Sequence, residues 1–283
     1  EGALIPPLIV PHFMIDASNE NNTSPILTLT PLDESGRFNN NLISSVVRND
    51  DIQLILIDAI LAELNSKGYT GVDVDFEYIL SEDRDYFTTF EARLSHLLKE
   101  SGDTVSVALA PKTSADQQGL LYEGNDYAGL GAAANSVLLM TYEWGYTYSV
   151  PMAVAPINKV RQVIEYAITE IPSAKIDMGI PNYGYDWPLP YEKGVTRART
   201  IGNIEAVNIA VRYGAVIQYD EIAQTPYFNY TDEQQTEHEV WFEDVRSMQA
   251  KFRLISEYNL RGAGYWQIMR LFRANWLLLS DTY

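Results

Sequence analysis

Short apolar runs alternate with helical stretches from residue 25 almost to the C-terminal end, and this rhythm constrains the fold more than any other feature. Strands are predicted at 25–30, 70–77, 104–109, 136–141, 176–180 and 262–266. Helices are predicted at 40–48, 51–66, 81–99, 127–134, 156–170, 203–213, 243–258 and 272–279. Near-continuous apolar strands separated by helices imply a parallel sheet covered by helices. A doubly wound nucleotide-binding sheet would carry a glycine-rich loop after a strand, and neither GxGxxG nor GxxxxGK[ST] occurs. Polar and aromatic residues instead end the strands: Glu77, Pro111-Lys112, Tyr142-Glu143, Asn182-Tyr183 and Trp266-Gln267. Functional groups at the C-terminal ends of strands are what a (β/α)8 barrel presents. Between 188 and 242 the alternation breaks, and a helix followed by short strands around a polar turn reads as a small α+β insertion.

The stretch Gly71-Val72-Asp73-Val74-Asp75-Phe76-Glu77 alternates strictly, so a strand places Val72, Val74 and Phe76 on one face and three carboxylates on the other. Same-face side chains on a strand lie about 6.6 Å apart, close enough for carboxyl groups to share protons. Alternation alone is also what a strand with one wet face shows. Asp is a poor strand former, however, and a clash between local propensity and pattern marks function or strain.

Composition narrows the partners. With 20 Lys and Arg against 38 Asp and Glu, the formal charge of -18 argues against nucleic acid and anionic membranes. The absence of cysteine excludes thiolate metal ligands, disulfides and a cysteine nucleophile. His12, His96 and His238 are scattered, with His96 on an amphipathic helix and His238 in a charged turn, so packing or surface roles are expected and no metal site. No apolar run reaches the roughly 20 residues that span a bilayer. The 19 Tyr and 5 Trp fall mostly in loops after predicted strands, where their flat faces would line a groove and stack on sugar rings.

Four segments together resemble the motifs of glycoside hydrolase family 18, which includes chitinases and related N-acetylglucosaminidases. Gly71-Val-Asp73-Val-Asp75-Phe-Glu77 resembles the DGxDxDxE signature of the family's fourth strand, with Thr70 where the first Asp usually stands. Met140-Thr-Tyr142-Glu143 resembles MxYD on strand six, with Glu for Asp. Gly179-Ile-Pro-Asn182-Tyr183-Gly resembles the strand-seven GxPxYG, and Gly264-Tyr-Trp266 the strand-eight tryptophan. The runs Ala108 to Thr113, Met140 to Gly145 and Tyr183 to Trp187 are similar to the bacterial spore germination and cortex-lytic branch. Tyr185 stands where chitinases often have Arg.

The resemblance implies one TIM-barrel catalytic domain over 1–283, with the insertion at 188–242 between strands seven and eight. Only six barrel strands are counted, so the first two are lacking or replaced. Residues 1–24, a partner, or sequence preceding this chain are the three candidates to cover the exposed edge. It further implies a retaining hydrolase that cleaves β-linked N-acetylglucosamine in peptidoglycan or a related glycan by substrate assistance. Glu77 is then the acid, Asp75 orients the substrate acetamide, Asp73 buffers the shared proton and Tyr142 donates to the acetamide oxygen. Trp266, Tyr183, Asn182, Glu143, Trp144 and Lys112 are candidate sugar contacts. No cofactor and no metal are expected. The expected partner is a carbohydrate polymer containing N-acetylglucosamine, met by a monomer outside the cell, in the wall or on the spore, without membrane insertion. A chitinase, a glycan-binding protein without activity and a structural coat protein remain as alternatives.

Overall fold

The computed structural model describes residues 3–6 and 12–282. The chain divides into two compact units, one running to Leu139 and including Tyr166–Ile176, the other comprising Met140–Glu165 and the residues from Asp177 onward.

The first unit opens with α1 (His12–Glu20), within the predicted lead-in, followed by β1 (Leu27–Leu29), α2 (Asn40–Val47), α3 (Asp50–Lys67) and β2 (Gly71–Val74). A single 3-10 turn at Ser81–Asp83 leads into α4 (Arg84–Ser101), and β3 (Thr104–Leu109), α5 (Tyr127–Ala133) and β4 (Ser136–Leu139) follow. The four strands pair in parallel in chain order, with Val72 opposite Leu27 on one side and Val105 on the other. Helix α3 shows why its ends fall where they do. Asn49 caps it, its side chain accepting from the backbone of Asp51 at 3.0 Å and Ile52 at 3.1 Å. The two aspartates occupy the first turn, where they oppose the positive end of the helix dipole. Gly68 ends the helix at φ 84°, a left-handed conformation that a side chain would strain.

Strand β2 takes its orientation from the apolar half of its alternation. Val72 and Val74 are buried, and Phe76 stacks on Phe87 and Phe90 of α4 at 5.6 and 6.0 Å between ring centroids. Ladder pairing stops at Val74, earlier than predicted, although the Asp75 amide still donates to Leu29 O at 3.0 Å. The burial alternation outlasts the ladder and continues through Glu77. Beside β1, whose one strand neighbour among the described residues is β2, lies an apolar cavity of about 300 Å³. Leu4, Ile5, Leu27, Leu29 and Phe76 are among its walls, so residues 3–6 do lie against this edge; residues 7–11 of the predicted lead-in lie outside the described residues.

In the second unit α6 (Ile157–Glu170) begins, and β5 (Ile176–Pro181) pairs in parallel with the last strand, β11 (Gly262–Trp266). Between them come β6 (Gly184–Leu189), β7 (Arg199–Ile201), α7 (Asn203–Tyr213), β8 (Gln218–Asp220), β9 (Thr225–Thr231), β10 (Glu237–Trp241) and α8 (Val245–Glu257), and α9 (Arg273–Thr282) follows β11. Strands β7-β6-β10-β9-β8 form one antiparallel sheet.

Three expectations are corrected here. The segment 181–187, predicted as a loop, contributes β6. Its partner β10 lies some fifty residues downstream, while Pro181, Asn182 and Gly184 imitate a turn locally. Tyr183, Tyr185, Trp187 and Trp241 belong to a buried cluster with Ala153 and Val154, so these four build core and do not line a groove. His238 lies in β10 and meets buried Asp186, its Nδ1 2.8 Å from Asp186 Oδ1, with Tyr230 donating to Oδ2 at 2.9 Å.

Candidate active site

In the first unit the carboxylate row is in place. Asp73, on β2, accepts from the Ser106 hydroxyl of β3 at 2.5 Å. Burial raises the Asp73 pKa against the lowering effect of that bond. Asp75 is pushed up to about 6, first by burial and then by the neighbouring charge of Asp73. Its Oδ1 is buried and has no hydrogen-bond partner among the described residues. A buried acceptor left open costs about 1–3 kcal/mol, and a ligand N–H would remove that cost. Glu77 is half-buried at the head of the row. Tyr78 follows it at φ 58°, a region that costs a non-glycine residue about 1–3 kcal/mol and recurs where backbone strain serves a site.

Glu91 of α4 was not anticipated. It is 0% exposed, and neither carboxylate oxygen has a hydrogen-bond partner among the described residues. Burial, and after it the charge of Asp73, holds its pKa well above the usual carboxylate range. An acidic residue inside an amphipathic helix pattern gives no sequence signal of this kind.

Lys112 corrects an expectation. At 1% exposure its ammonium donates to Asn125 O at 3.0 Å and Ala115 O at 3.1 Å, and it lies 5.9 Å from the Tyr127 ring centroid. It pins the loop after β3, and a buried ammonium spent on two backbone carbonyls offers no exposed donor to a sugar.

In the second unit, Tyr142, Glu143 and Trp144 follow β4. Tyr142 and Trp144 are half-buried, and Glu143 adopts φ 66°, so here too a non-glycine residue is strained just past a strand. The Glu143 carboxylate accepts from the Tyr183 hydroxyl and, at 3.0 and 3.2 Å, from that of Tyr185. Burial raises the Glu143 pKa, and the two tyrosine bonds oppose the rise. Tyr183 and Tyr185 therefore both hold Glu143 through neutral donors. The turn is closed by Trp144 and Gly145, whose amides donate to Val154 O and Ala153 O at 3.0 Å. A Cβ on Gly145 would lie 2.1 Å from Met152 O.

Trp266, ending β11, is 57% exposed and offers an open indole face. Asn182, predicted as a sugar contact, is 0% exposed, and its amide donates to Gln267 O at 3.0 Å and Arg270 O at 2.8 Å. This too corrects an expectation: with both of its amide protons used, Asn182 holds backbone. Among the described residues no group of three or more His, Asp or Glu side chains is arranged to hold a metal ion, and no helix is long and apolar enough to cross a membrane.

Comparison with known proteins places the chain in a family and a fold. Residues 35–270 match Glycosyl hydrolases family 18. The cortical fragment-lytic enzyme of Bacillus subtilis (strain 168) is 46% identical over 262 residues, 93% of this chain and 61% of that protein. The solved spore cortex-lytic enzyme SleL of Bacillus cereus has a TM-score of 0.96 at 38% identity, covering 100% of this chain and 64% of that one. A chitinase from Chromobacterium violaceum has a TM-score of 0.90 at 26% identity, covering 96% of this chain and 84% of that one. The chain spans 61% of the length of the Bacillus subtilis and Bacillus anthracis cortical fragment-lytic enzymes that it matches. Its fold is the α/β, TIM-barrel type of these solved relatives, with six of the parallel strands among the described residues and the antiparallel sheet as the inserted element. The chain belongs to glycosyl hydrolase family 18, in the branch of the spore cortex-lytic enzymes.

Proposed function

We propose that this chain is the catalytic domain of a retaining glycosidase that cleaves β-linked N-acetylglucosamine in peptidoglycan, spore-cortex glycan being the substrate class, with the sheet at 184–241 as an insertion within that domain. The observation that carries the reading is the unsatisfied Asp75 Oδ1 in the middle of the carboxylate row. It is an acceptor built without a donor, and the N–H of a substrate acetamide has the chemistry to fill it. A row of carboxyls with Asp75 near 6 also holds the proton that a general acid must deliver.

Glu77 protonates the glycosidic oxygen while the carbonyl oxygen of the substrate's own acetamide attacks the anomeric carbon. The C–O bond breaks, the leaving sugar departs as an alcohol, and an oxazolinium ion remains. Asp75 holds the acetamide N–H and offsets its developing positive charge. Glu77, now ionised, takes a proton from water, which opens the oxazolinium ring from the face the leaving group vacated, with net retention. That proton restores the starting charge of the row, and Asp73, tied to Ser106, buffers the proton shared along it. The family resemblance assigns Tyr142 the bond to the acetamide oxygen, a positioning role, and Trp266 the apolar floor under the sugar. Glu143, held by Tyr183 and Tyr185, and Trp144 are the remaining sugar contacts. The similarity to cortex-lytic relatives supports cortex glycan over chitin and a location at the spore or cell wall.

The test is hydrolysis of N-acetylated glycan against the same glycan after de-N-acetylation, with chitin oligomers alongside. Only acetylated glycan is expected to be cut. Equal cutting of both removes substrate assistance, and faster cutting of chitin than of cortex glycan removes the substrate class.

A further inference from the structure

The segment that follows Trp266 is held almost entirely by polar contacts. Ile268, Met269 and Leu271 are 69%, 84% and 72% exposed, so apolar burial does little to fix it. Three hydrogen bonds from one residue do: the Asn182 backbone N–H donates to Trp266 O at 2.8 Å, and the side-chain Nδ2, which Asn182→Ala removes, bridges Gln267 O and Arg270 O. One side-chain NH2 thus spans the carbonyls of the first and last residues of a four-residue turn. Behind it, Asn203 Nδ2 lies 3.4 Å from Asn182 Oδ1, and Asn203 Oδ1 accepts from the Glu243 backbone at 2.9 Å. Glu243 and Lys251 close the chain as an ion pair at 2.8 Å with almost no exposure. A buried polar network in which each amide has its partners is rigid, and it fixes what it touches.

We propose that Asn182 is a positioning residue for Trp266, and that the line from Asn182 through Asn203 to the Glu243–Lys251 pair sets the pose of the exposed indole that receives the sugar. This rests on the reading of Trp266 as the subsite floor, but the link from Asn182 to Trp266 is a property of the chain without substrate. It also accounts for an asparagine with no surface beside an exposed aromatic: the sugar meets Trp266, and Asn182 holds Trp266 in place.

The experiment is a two-dimensional NMR spectrum of the indole N–H groups of the 15N-labelled chain, which has 5 Trp. Trp266→Phe identifies the Trp266 signal. Asn182→Ala is expected to shift or broaden that signal while the other indoles stay in place, and to raise KM on acetylated glycan about tenfold or more, in line with the cost of misplacing a positioning group. In the Trp266→Phe background, Asn182→Ala should add little further loss. An unmoved Trp266 signal overturns the proposal, as does an equal KM penalty in both backgrounds. Movement of all the indoles also overturns it, because Asn182 is then merely structural. If Asn182→Ala does not fold, Asn203→Ser gives the same reading: it leaves the Asn182 donors in place, a smaller shift of the same signal is expected, and no shift overturns the proposal. Should Trp266→Phe itself leave hydrolysis unchanged while Asn182→Ala still moves the signal, the positioning link stands and the assignment of Trp266 as sugar floor falls.

Discussion

Replacing Asp75 by asparagine should make this protein more stable, by a margin that grows with pH. In the fold the Asp75 carboxyl titrates near 6, against an ordinary value of 3.8, because burial and the charge of Asp73 disfavour its ionised form. A carboxyl raised in this way leaves stability intact below its unfolded pKa. As pH climbs through the folded pKa the unfolded chain gives up its proton first, and stability falls. The gap between the two values is worth about 3 kcal/mol once the group is fully ionised, and very little of it is felt at pH 4. Asparagine cannot ionise and escapes the decline, whereas Asp73 and Glu91 titrate in both proteins and largely drop out of the comparison. The advantage of Asp75→Asn over the parent should therefore widen by about 2 kcal/mol between pH 4 and pH 7. At about 2–4 °C per kcal/mol for a chain of this size, the difference in Tm widens by about 4–8 °C. Differential scanning calorimetry of both proteins at matched ionic strength from pH 4 to pH 8 measures this directly. A Tm difference that stays flat across the range would refute the reasoning, since Asp75 would then ionise in the fold as easily as in the open chain. The gain in stability should come with loss of hydrolysis if Asp75 orients the acetamide as proposed.

Two further outcomes follow from named contacts. Glu77→Gln keeps glycan binding and loses at least about a hundredfold in kcat, the usual cost of a missing general acid; turnover within a few fold of the parent would place the acid elsewhere. Lys112→Met abandons two buried carbonyls, Ala115 O and Asn125 O, and should cost about 1–3 kcal/mol of stability with KM for glycan unchanged. A raised KM at unchanged Tm would restore Lys112 as a substrate contact.

Where local chemistry decides an element, the residues announced it. Helix α7 and strand β11 fall at 203–213 and 262–266 as predicted, because Gly214 stops the first and the small-residue run Gly262-Ala-Gly264 is bounded by charged and aromatic neighbours. The acidic row was legible because its apolar half had to be buried, which sends Asp73, Asp75 and Glu77 to the other face. Strand β6 was not legible, since the hydrogen bonds that make Gly184–Leu189 a strand come from β7 and β10, and nothing within 181–187 names those partners. The same limit applied to the site. Residue type and place in the chain made Asn182 and Lys112 look like ligands for sugar, yet burial turned both toward backbone carbonyls. Glu91 carried no signal at all, because a glutamate at a buried helical position reads like one at an exposed position until the helix has been docked.

Gly145 bears on how the specificity of this protein can be altered. The chain after β4 folds back so tightly that Met152 O occupies the space a methyl group would need, so position 145 admits no side chain without moving backbone. The residues before it differ in their freedom: Trp144 is half-buried and Glu143 is held through its carboxylate by hydroxyls. A mutational library meant to test the proposed sugar contacts can vary 143 and 144 together with the tyrosines at 183 and 185. It must leave 145 as glycine, or every member will report a displaced loop in place of a new preference.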